Sequence, residues 1–299
     1  MDFKLSLAPV FKTATTTVKA SELKANLHFI DACNAHCRGC FATEFPGENH
    51  MMSVENAHKT IINLFAAGVT QFNLAGGEPT IHPHFTEICR FICELGGKVS
   101  VITNGSRLNE EFLEKVGPYL DTIGLSIDSF DRETSYRLGR FTGSPRNPKF
   151  FGFDELKALL PVIRKYSIRL KVNTVISNVN FEEKMSERIS ELNVDCWKII
   201  KMSPYNLGGH SNLDLVPSDE EYQHFIQNNL YRHSVIESDM KNSYLVIDPN
   251  GNLLDNSNTA AEKDSGYRII GNFIMETASM VLKRYFNVFN VNAYRERYV

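Results

Sequence analysis

Three cysteines, Cys33, Cys37 and Cys40, stand within eight consecutive positions of a chain that has six in all. Thiolates spaced in this way can take three corners of a cubane iron-sulfur cluster, leaving one iron without a protein ligand and open to substrate or cofactor. A structural zinc site normally closes with four ligands. His36 or Cys89 would have to be the fourth, and neither has finger-like spacing. From spacing alone a cluster, a zinc site and unrelated core thiols stay open. Cys89 and Cys93, one helical turn apart, read as packing residues.

A second set of residues emerges from alternation, because side chains two apart on a strand share a face. In the run 168–176, Lys171, Asn173 and Val175 lie opposite Leu170, Val172 and Thr174. In the run 195–202, Cys196, Lys198 and Ile200 lie opposite Trp197 and Ile199. Asn26 shares a face with His28, and Gln71 with Asn73. If the apolar faces pack on helices, the interior is polar and cationic where an ordinary barrel holds Val, Ile and Leu. Interior lysines are costly without an anionic partner, so Lys171 and Lys198 point to a phosphate-bearing substrate. The alternative is that both lie at exposed strand ends and reach solvent.

The elements that must carry these residues alternate. Strand-like runs at 26–31, 70–75, 98–103, 122–127, 168–176 and 195–202 alternate with helical stretches from Ser53 to Gly68, at 85–95, 109–117, 154–166 and 181–192, the last with an Asn180…Glu183 start that resembles a capping box. Six such units predict an α/β fold, a partial (βα)6 barrel of the TIM type with its site at the strands' C-terminal ends. After residue 203 the rhythm breaks into a loop (204–217), a capped helix (218–230) and a hairpin across Asn250-Gly251. The chain divides into an N-terminal extension (1–25), the barrel core (26–203) and a C-terminal extension (204–299) that closes the barrel and its substrate site. The segment 131–150, rich in Gly, Pro and Arg, reads either as a loop that closes over substrate or as disorder.

With 299 residues, 42% hydrophobic content and 32 Lys and Arg against 35 Asp and Glu, the chain is globular and lacks the bulk positive charge of a nucleic-acid wrapper. No apolar run reaches the roughly 18 residues of a membrane span, and the N-terminus lacks a signal-peptide core. The expectation is a cytoplasmic monomer with no membrane or nucleic-acid partner, in a reducing compartment.

Cys33-Asn-Ala-His-Cys37-Arg-Gly-Cys40, followed by Phe41, resembles the CxxxCxxC signature of the radical S-adenosylmethionine (SAM) enzymes. The resemblance implies a 4Fe-4S cluster on Cys33, Cys37 and Cys40, with SAM chelated at the open iron. One electron then cleaves the sulfonium to methionine and a 5′-deoxyadenosyl radical that takes hydrogen from the substrate. The cofactor carries that chemistry and the protein positions it. Gly76-Gly77-Glu78-Pro79 resembles the family's GGE motif, whose backbone and Glu hold the methionine amine; as residues alone it is also a plain turn. Asn104, within Thr103-Asn104-Gly105-Ser106, and Ser126 with Asp128 resemble adenine and ribose contacts, on residue types that also serve turns and caps.

Across 26–268 the chain is similar to the viperin-like branch of these enzymes. The similarity rests on Asn26-Leu-His28-Phe29, Ser126-Ile-Asp128-Ser129-Phe130-Asp131, Leu138-Gly139-Arg140, Lys171-Val-Asn173, Trp197-Lys198 and Met240-Lys-Asn-Ser-Tyr244-Leu-Val-Ile-Asp248. It implies removal of the ribose 4′ hydrogen of a nucleoside triphosphate (CTP, UTP or GTP), loss of the 3′ hydroxyl, and a 3′-deoxy-3′,4′-didehydro product that terminates RNA chains in antiviral defence. It also implies a one-electron donor of flavodoxin or ferredoxin type. By the same carry-over Lys171, Asn173 and Lys198 bind the triphosphate with Arg268 near it, beside Asn26 and Asn73 of the polar faces as further substrate-binding residues; Arg140 contacts SAM or phosphate, and Tyr244 is the proton donor to the product radical, although a tyrosine in a hairpin strand is also ordinary packing.

Departures stand beside the likeness. Gln71 and Cys196 replace basic residues of the animal enzyme, the sequence ends Arg-Tyr-Val without a terminal tryptophan, and no amphipathic membrane-binding helix precedes the core, which together lean towards a microbial relative. The competing readings are a peptide-modifying radical SAM enzyme, which often carries a cysteine-rich C-terminal extension, and a non-enzymatic metal-binding module. Residues 203–299 contain no cysteine.

Overall fold

The computed structural model describes residues 10–12, 17–40, 50–207, 210–237, 242–255 and 267–297. Phe41, Met240 and Lys241, on which parts of the family likeness rest, and Tyr298 and Val299, which belong to a departure from it, lie outside the described residues.

A short antiparallel ribbon, β1 (Val10–Lys12) and β2 (Thr17–Lys19), leads into β3 (Lys24–Ile30) and the cysteine loop. The repeat then runs α1 (Val54–Ala66), β4 (Gln71–Gly76), α2 (Phe85–Glu94), β5 (Lys98–Thr103), α3 (Glu110–Val116) and β6 (Thr122–Ser126). Helix α1 starts where the Ser53 hydroxyl accepts from Asn56 N, and it buries Ala57, Ile61 and Leu64, the two larger side chains contributing roughly 1.5–3 kcal/mol each.

The segment 131–150 is neither open loop nor disorder. It folds as α4 (Arg132–Arg137), capped by Asp131, and a small hairpin, β7 (Thr142–Ser144) with β8 (Asn147–Lys149). Then come α5 (Phe153–Lys165), β9 (Arg169–Ile176), α6 (Ser186–Leu192) and β10 (Cys196–Lys201). The capping box expected at Asn180 and Glu183 does not form, and α6 begins only at Ser186. The Asn180 amide instead donates to Asp128 O and Val175 O, and the Glu183 carboxylate accepts from Phe130 N, so tertiary partners win over the local cap.

Alternation sorts the faces as expected. Leu170, Val172, Trp197 and Ile199 join the core beneath the helices, while Asn173 and Lys198 are buried on the opposite face. Lys198 is buried and Lys171 half-buried, so neither is an exposed strand end.

The C-terminal part gives a pair, β11 (Asn206–Leu207) and β12 (His210–Ser211), then α7 (Asp219–Asn228), β13 (Ser234–Glu237), β14 (Leu245–Ile247), β15 (Asn252–Asp255), β16 (Arg268–Asn272), α8 (Ala278–Tyr285) and α9 (Val291–Arg297). The hairpin across Asn250-Gly251 is β14 with β15. The sheet order is β13-β10-β9-β6-β5-β4-β3-β14-β15-β16. Beyond the six expected strands, β13 adds in parallel to β10 and β14 in parallel to β3.

The extension therefore lengthens both edges, and among the described residues no backbone ladder closes the barrel. The sheet is nonetheless strongly curled. Strands β13 and β14 are first and eighth in the order, which in a flat sheet is about 33 Å apart. Only the chain from Glu237 to Leu245 joins them, which reaches at most about 28 Å. Side chains complete what the ladder does not, since Tyr244, just ahead of β14, bonds to Glu237 on β13. Among the described residues no helix is long and apolar enough to cross a membrane.

Candidate active site

The cysteine loop leaves the C-terminal end of β3 and is held by its neighbours on several sides. Gly77 N donates to Ile30 O (2.7 Å) and Glu78 N to Ala32 O (2.9 Å). Asn34 donates to Ser106 Oγ and accepts from Asn104 Nδ2, each at 2.9 Å. His36 N and Arg38 N donate to Gly139 O and Leu138 O, and a β-bridge joins Ala35 to Thr142, so α4 and the hairpin clamp the loop from outside.

The glycines after β4 are required by this close approach. Gly76 has φ +140°, and a Cβ there would lie 1.9 Å from Ile30 O; at Gly77 it would lie 2.2 Å from Ala32 O. Glu78 is buried, and its carboxylate is taken up within the protein. Oε1 accepts from Thr80 N, Thr80 Oγ1 and Thr103 Oγ1, and Oε2 from Asn104 N (2.7 Å). It clamps the end of β4 to the end of β5, which leaves the turn's backbone, rather than this carboxylate, available to a ligand. Burial pushes its acidity down, against those hydrogen bonds.

The fit of a cluster rests on the donor set. The three cysteines are free thiols in one loop. Ala35 N lies 3.4 Å from Cys33 Sγ, and Arg140 Nη1 lies 3.4 Å from Cys37 Sγ. At Cys33 burial outweighs the Ala35 N–H and pushes the free thiol up to about 11. Among the described residues no three side chains converge tightly enough for a single metal ion; a cubane, whose irons each take a different thiolate, does not ask them to.

A cavity of about 350 Å³ opens beside the loop, of a size suited to a small-molecule cofactor. Asn104, Ser126, Asp128 and Arg140 all line it, together with Ile127, Phe141 and Phe151. Arg140 is held by the Asp128 carboxylate, whose other oxygen accepts from Val175 N (2.8 Å).

The lumen holds the second group. Asn73 donates to Asn26 Oδ1 (2.8 Å) and accepts from Ser100 Oγ (3.0 Å). Asn26 Nδ2 and Asn173 Oδ1 are buried with no hydrogen-bond partner among the described residues, which leaves polar atoms for a ligand to satisfy. Lys171 is lowered to about 7 by burial, with repulsion from Lys198 and Lys24 adding to it and Cys196 and Glu237 opposing. The anionic partner expected for the interior lysines is supplied in part by the protein: Lys198 Nζ lies 2.8 Å from Glu237 Oε2 and 3.1 Å from Tyr244 Oη, with the Lys198 and Glu237 side chains 5% and 1% exposed.

Arg268 is not brought to this group. On β16 it pairs with Asp255 (2.7 and 3.1 Å), its side chain 68% exposed, and no described contact joins it to Lys171 or Lys198. Two residues went unforeseen. Lys24, whose ionisation is lowered by burial and by Arg169 and Lys198, stands in register with Gln71; its place two residues before Asn26, on the same face, is the signal that marks it. Glu237 sits in no motif, and nothing in its local sequence marks it.

Comparison with known proteins agrees with this architecture. The sequence profile of the Radical SAM superfamily matches residues 27–189. The S-adenosylmethionine-dependent nucleotide dehydratase of Selenomonas ruminantium is 32% identical over 282 residues, 92% of this chain and 98% of that protein. The S-adenosylmethionine-dependent nucleotide dehydratase RSAD2 of Oncorhynchus mykiss is 31% identical over 265 residues, 82% of this chain and 73% of that protein. Among solved structures, native anSMEcpe with bound AdoMet superposes with a TM-score of 0.65 at 17% identity, covering 89% of this chain and 81% of the other, a likeness of fold. The chain belongs to the radical SAM superfamily and, within it, to the viperin-like family of S-adenosylmethionine-dependent nucleotide dehydratases.

Proposed function

We propose that this chain dehydrates a ribonucleoside triphosphate (CTP, UTP or GTP) to its 3′-deoxy-3′,4′-didehydro analogue, a chain terminator suited to antiviral defence. The observation that carries the substrate class is the cationic lumen, where buried Lys198 and half-buried Lys171 share a face with amide atoms that are buried and have no hydrogen-bond partner among the described residues. An uncharged substrate would leave Lys171 uncompensated.

Cys33, Cys37 and Cys40 hold a 4Fe-4S cluster, and Gly76, Gly77, Glu78, Asn104, Ser126, Asp128 and Arg140 form the SAM site, with Glu78 acting through the turn it clamps. The bound cluster and SAM supply the 5′-deoxyadenosyl radical that takes the ribose 4′ hydrogen. Lys171 and Lys198 hold the triphosphate, Asn26, Asn73 and Asn173 orient the nucleotide, and Arg268 reaches it only if its pairing with Asp255 opens. Tyr244 is the proton donor, and the balance of the reaction places its proton on the departing 3′ oxygen rather than on the product radical, because a proton on carbon would not leave a 3′,4′ double bond. The lumen keeps bulk water from the radical. The domain division proposed is an extension (1–25), the SAM-binding core (26–203) and a C-terminal part (204–299) that completes the substrate site. The electron donor is of flavodoxin or ferredoxin type, and the enzyme works as a cytoplasmic monomer.

Anaerobic reconstitution tests this. The loaded protein is incubated with SAM, reductant and each of the four ribonucleoside triphosphates, and 5′-deoxyadenosine and nucleotide products are followed by mass spectrometry. Nucleotide-dependent deoxyadenosine with a product lighter by one water is expected. A cluster-loaded protein silent with every nucleotide would eliminate the reading.

A further inference from the structure

The side chains that close the curled sheet are three ionisable groups in mutual contact. Tyr244 Oη donates to Glu237 Oε1, Lys198 Nζ lies 2.8 Å from Glu237 Oε2, and the same ammonium lies 3.1 Å from Tyr244 Oη and 5.6 Å from the centre of its ring. The three come from different parts of the sheet: Lys198 from β10, Glu237 from the end of β13, Tyr244 from the approach to β14. Tyr285 Oη fixes the backbone beneath the phenol by donating to Tyr244 O (2.6 Å). A buried ion pair is a poor source of stability, so its presence here calls for another account.

We propose that Glu237 is a positioning residue for proton delivery: its carboxylate aims the Tyr244 phenol and keeps the Lys198 ammonium beside it, so that the proton Tyr244 gives up is replaced from Lys198. The inference rests on the nucleotide-dehydration reading and adds a residue to it. As the 3′ carbon–oxygen bond breaks, the Tyr244 O–H bond breaks with it, and the proton joins the leaving oxygen to form water. The electron that completes the 3′,4′ double bond comes from the one-electron reductant. The phenolate regains a proton as a Lys198 N–H bond breaks, and the neutral amine is recharged from solvent after product leaves. One proton and one electron enter, and one water departs. Glu237 neither gains nor loses a proton.

A gap-filling role and a positioning role predict different splits. Glu237→Gln keeps the shape but removes the charge, and it frees Lys198 from a competing anion. Nucleotide affinity is then expected to be unchanged or tighter, while didehydronucleotide formed per 5′-deoxyadenosine falls at least five-fold. Glu237→Asp, which retains the charge, is expected to recover part of that ratio. Nucleotide dissociation constants from calorimetry and the product ratio from mass spectrometry are read on the same cluster-loaded preparations. An unchanged ratio in Glu237→Gln, or a loss of affinity and turnover in equal proportion in both variants, overturns the assignment. If wild type releases deoxyadenosine but makes no didehydronucleotide, the nucleotide reading falls first. If wild type makes it and the Glu237→Gln ratio does not move, the Glu237 assignment falls alone.

Discussion

The cofactor end and the substrate lumen of this sheet are built on opposite terms. Around the cysteine loop the polar groups are satisfied within the protein: Glu78 accepts four hydrogen bonds, Asp128 holds Arg140 and Val175 N, and Asn34 ties to Ser106 and Asn104. In the lumen, Asn26 and Asn173 keep buried atoms without hydrogen-bond partners among the described residues, and Lys171 is too poorly compensated to keep its ordinary basicity. A finished network rigidifies the site that must hold one unvarying cofactor, whereas an unfinished one stores binding free energy for a polyanion. Substitutions in the hydrogen-bonded network at the first end, the cysteines themselves apart, should therefore damage the protein and its cofactor site together, and those at the second should separate binding from folding.

The largest effect is expected at the loop. Replacing any one of Cys33, Cys37 or Cys40 by Ala should abolish the iron-sulfur absorbance and all deoxyadenosine formation. The thermal midpoint of the protein without iron should stay near wild type, because these thiols lie outside the packed core. Retention of a full cluster by one such variant would show that another side chain has taken the place. Next comes Lys171→Ala, which should weaken nucleotide binding roughly 10- to 100-fold, the range of a charge-assisted contact, with cluster absorbance unchanged. Binding that survives unaltered would move the phosphate site elsewhere.

The sign of the pH dependence follows from Lys171. Its free-enzyme value of about 7 means that above neutrality the amine is mostly neutral, while a bound triphosphate favours the ammonium. Binding above pH 7 must then take up a proton, so affinity should fall with rising pH, by up to about ten-fold per unit, and level off below 7. Calorimetry in two buffers of different ionisation enthalpy measures the uptake. Lysines 24 and 198, Glu237 and Cys196 face the same space, so the control is Lys171→Ala, in which the uptake should vanish.

How much of this was legible in the sequence follows the same division. The motifs at the cofactor end are contiguous, and the strand at 98–103 forms as Lys98–Thr103, because a Gly-Gly helix stop followed by a short β-rich run leaves few alternatives. Lys171, Asn173 and Lys198 could be placed on one face by alternation alone. Three features could not. Asn180 spends its side chain on Asp128 and Val175 rather than on a helix start. The Gly- and Pro-rich 131–150 segment gains its order from bonds to the cysteine loop, which no local pattern records. Glu237 acquires its meaning only when the first and eighth strands of the sheet curl together.

A smaller effect, confined to the cofactor end, is expected from Glu78→Gln. Whichever oxygen the amide NH2 replaces, it faces a backbone donor, Thr80 N or Asn104 N, and leaves that N–H unpaired in a buried position, while the threonine hydroxyls can turn to accept. Unfolding in denaturant should show a loss of about 1–3 kcal/mol. The KM for SAM should rise with it, because the clamp and the cofactor turn are the same structure. A stability loss with no change in SAM binding would detach the two.

The smallest expected change in stability is at Asn173, and it sharpens the contrast most. Asn173→Ala deletes a buried acceptor that has no partner among the described residues, relieving a penalty of about 1–3 kcal/mol while forfeiting the amide's packing contacts. The two nearly offset, so denaturant unfolding should lie within about 1 kcal/mol of wild type or slightly above it. Nucleotide affinity should fall several-fold, since the ligand loses the group that was waiting for it. Stability and binding thus move apart at Asn173, where at Glu78 they fall together. Should Asn173→Ala unfold far more easily and bind nucleotide as before, the amide is a structural member after all, and the lumen is no less finished than the cofactor end.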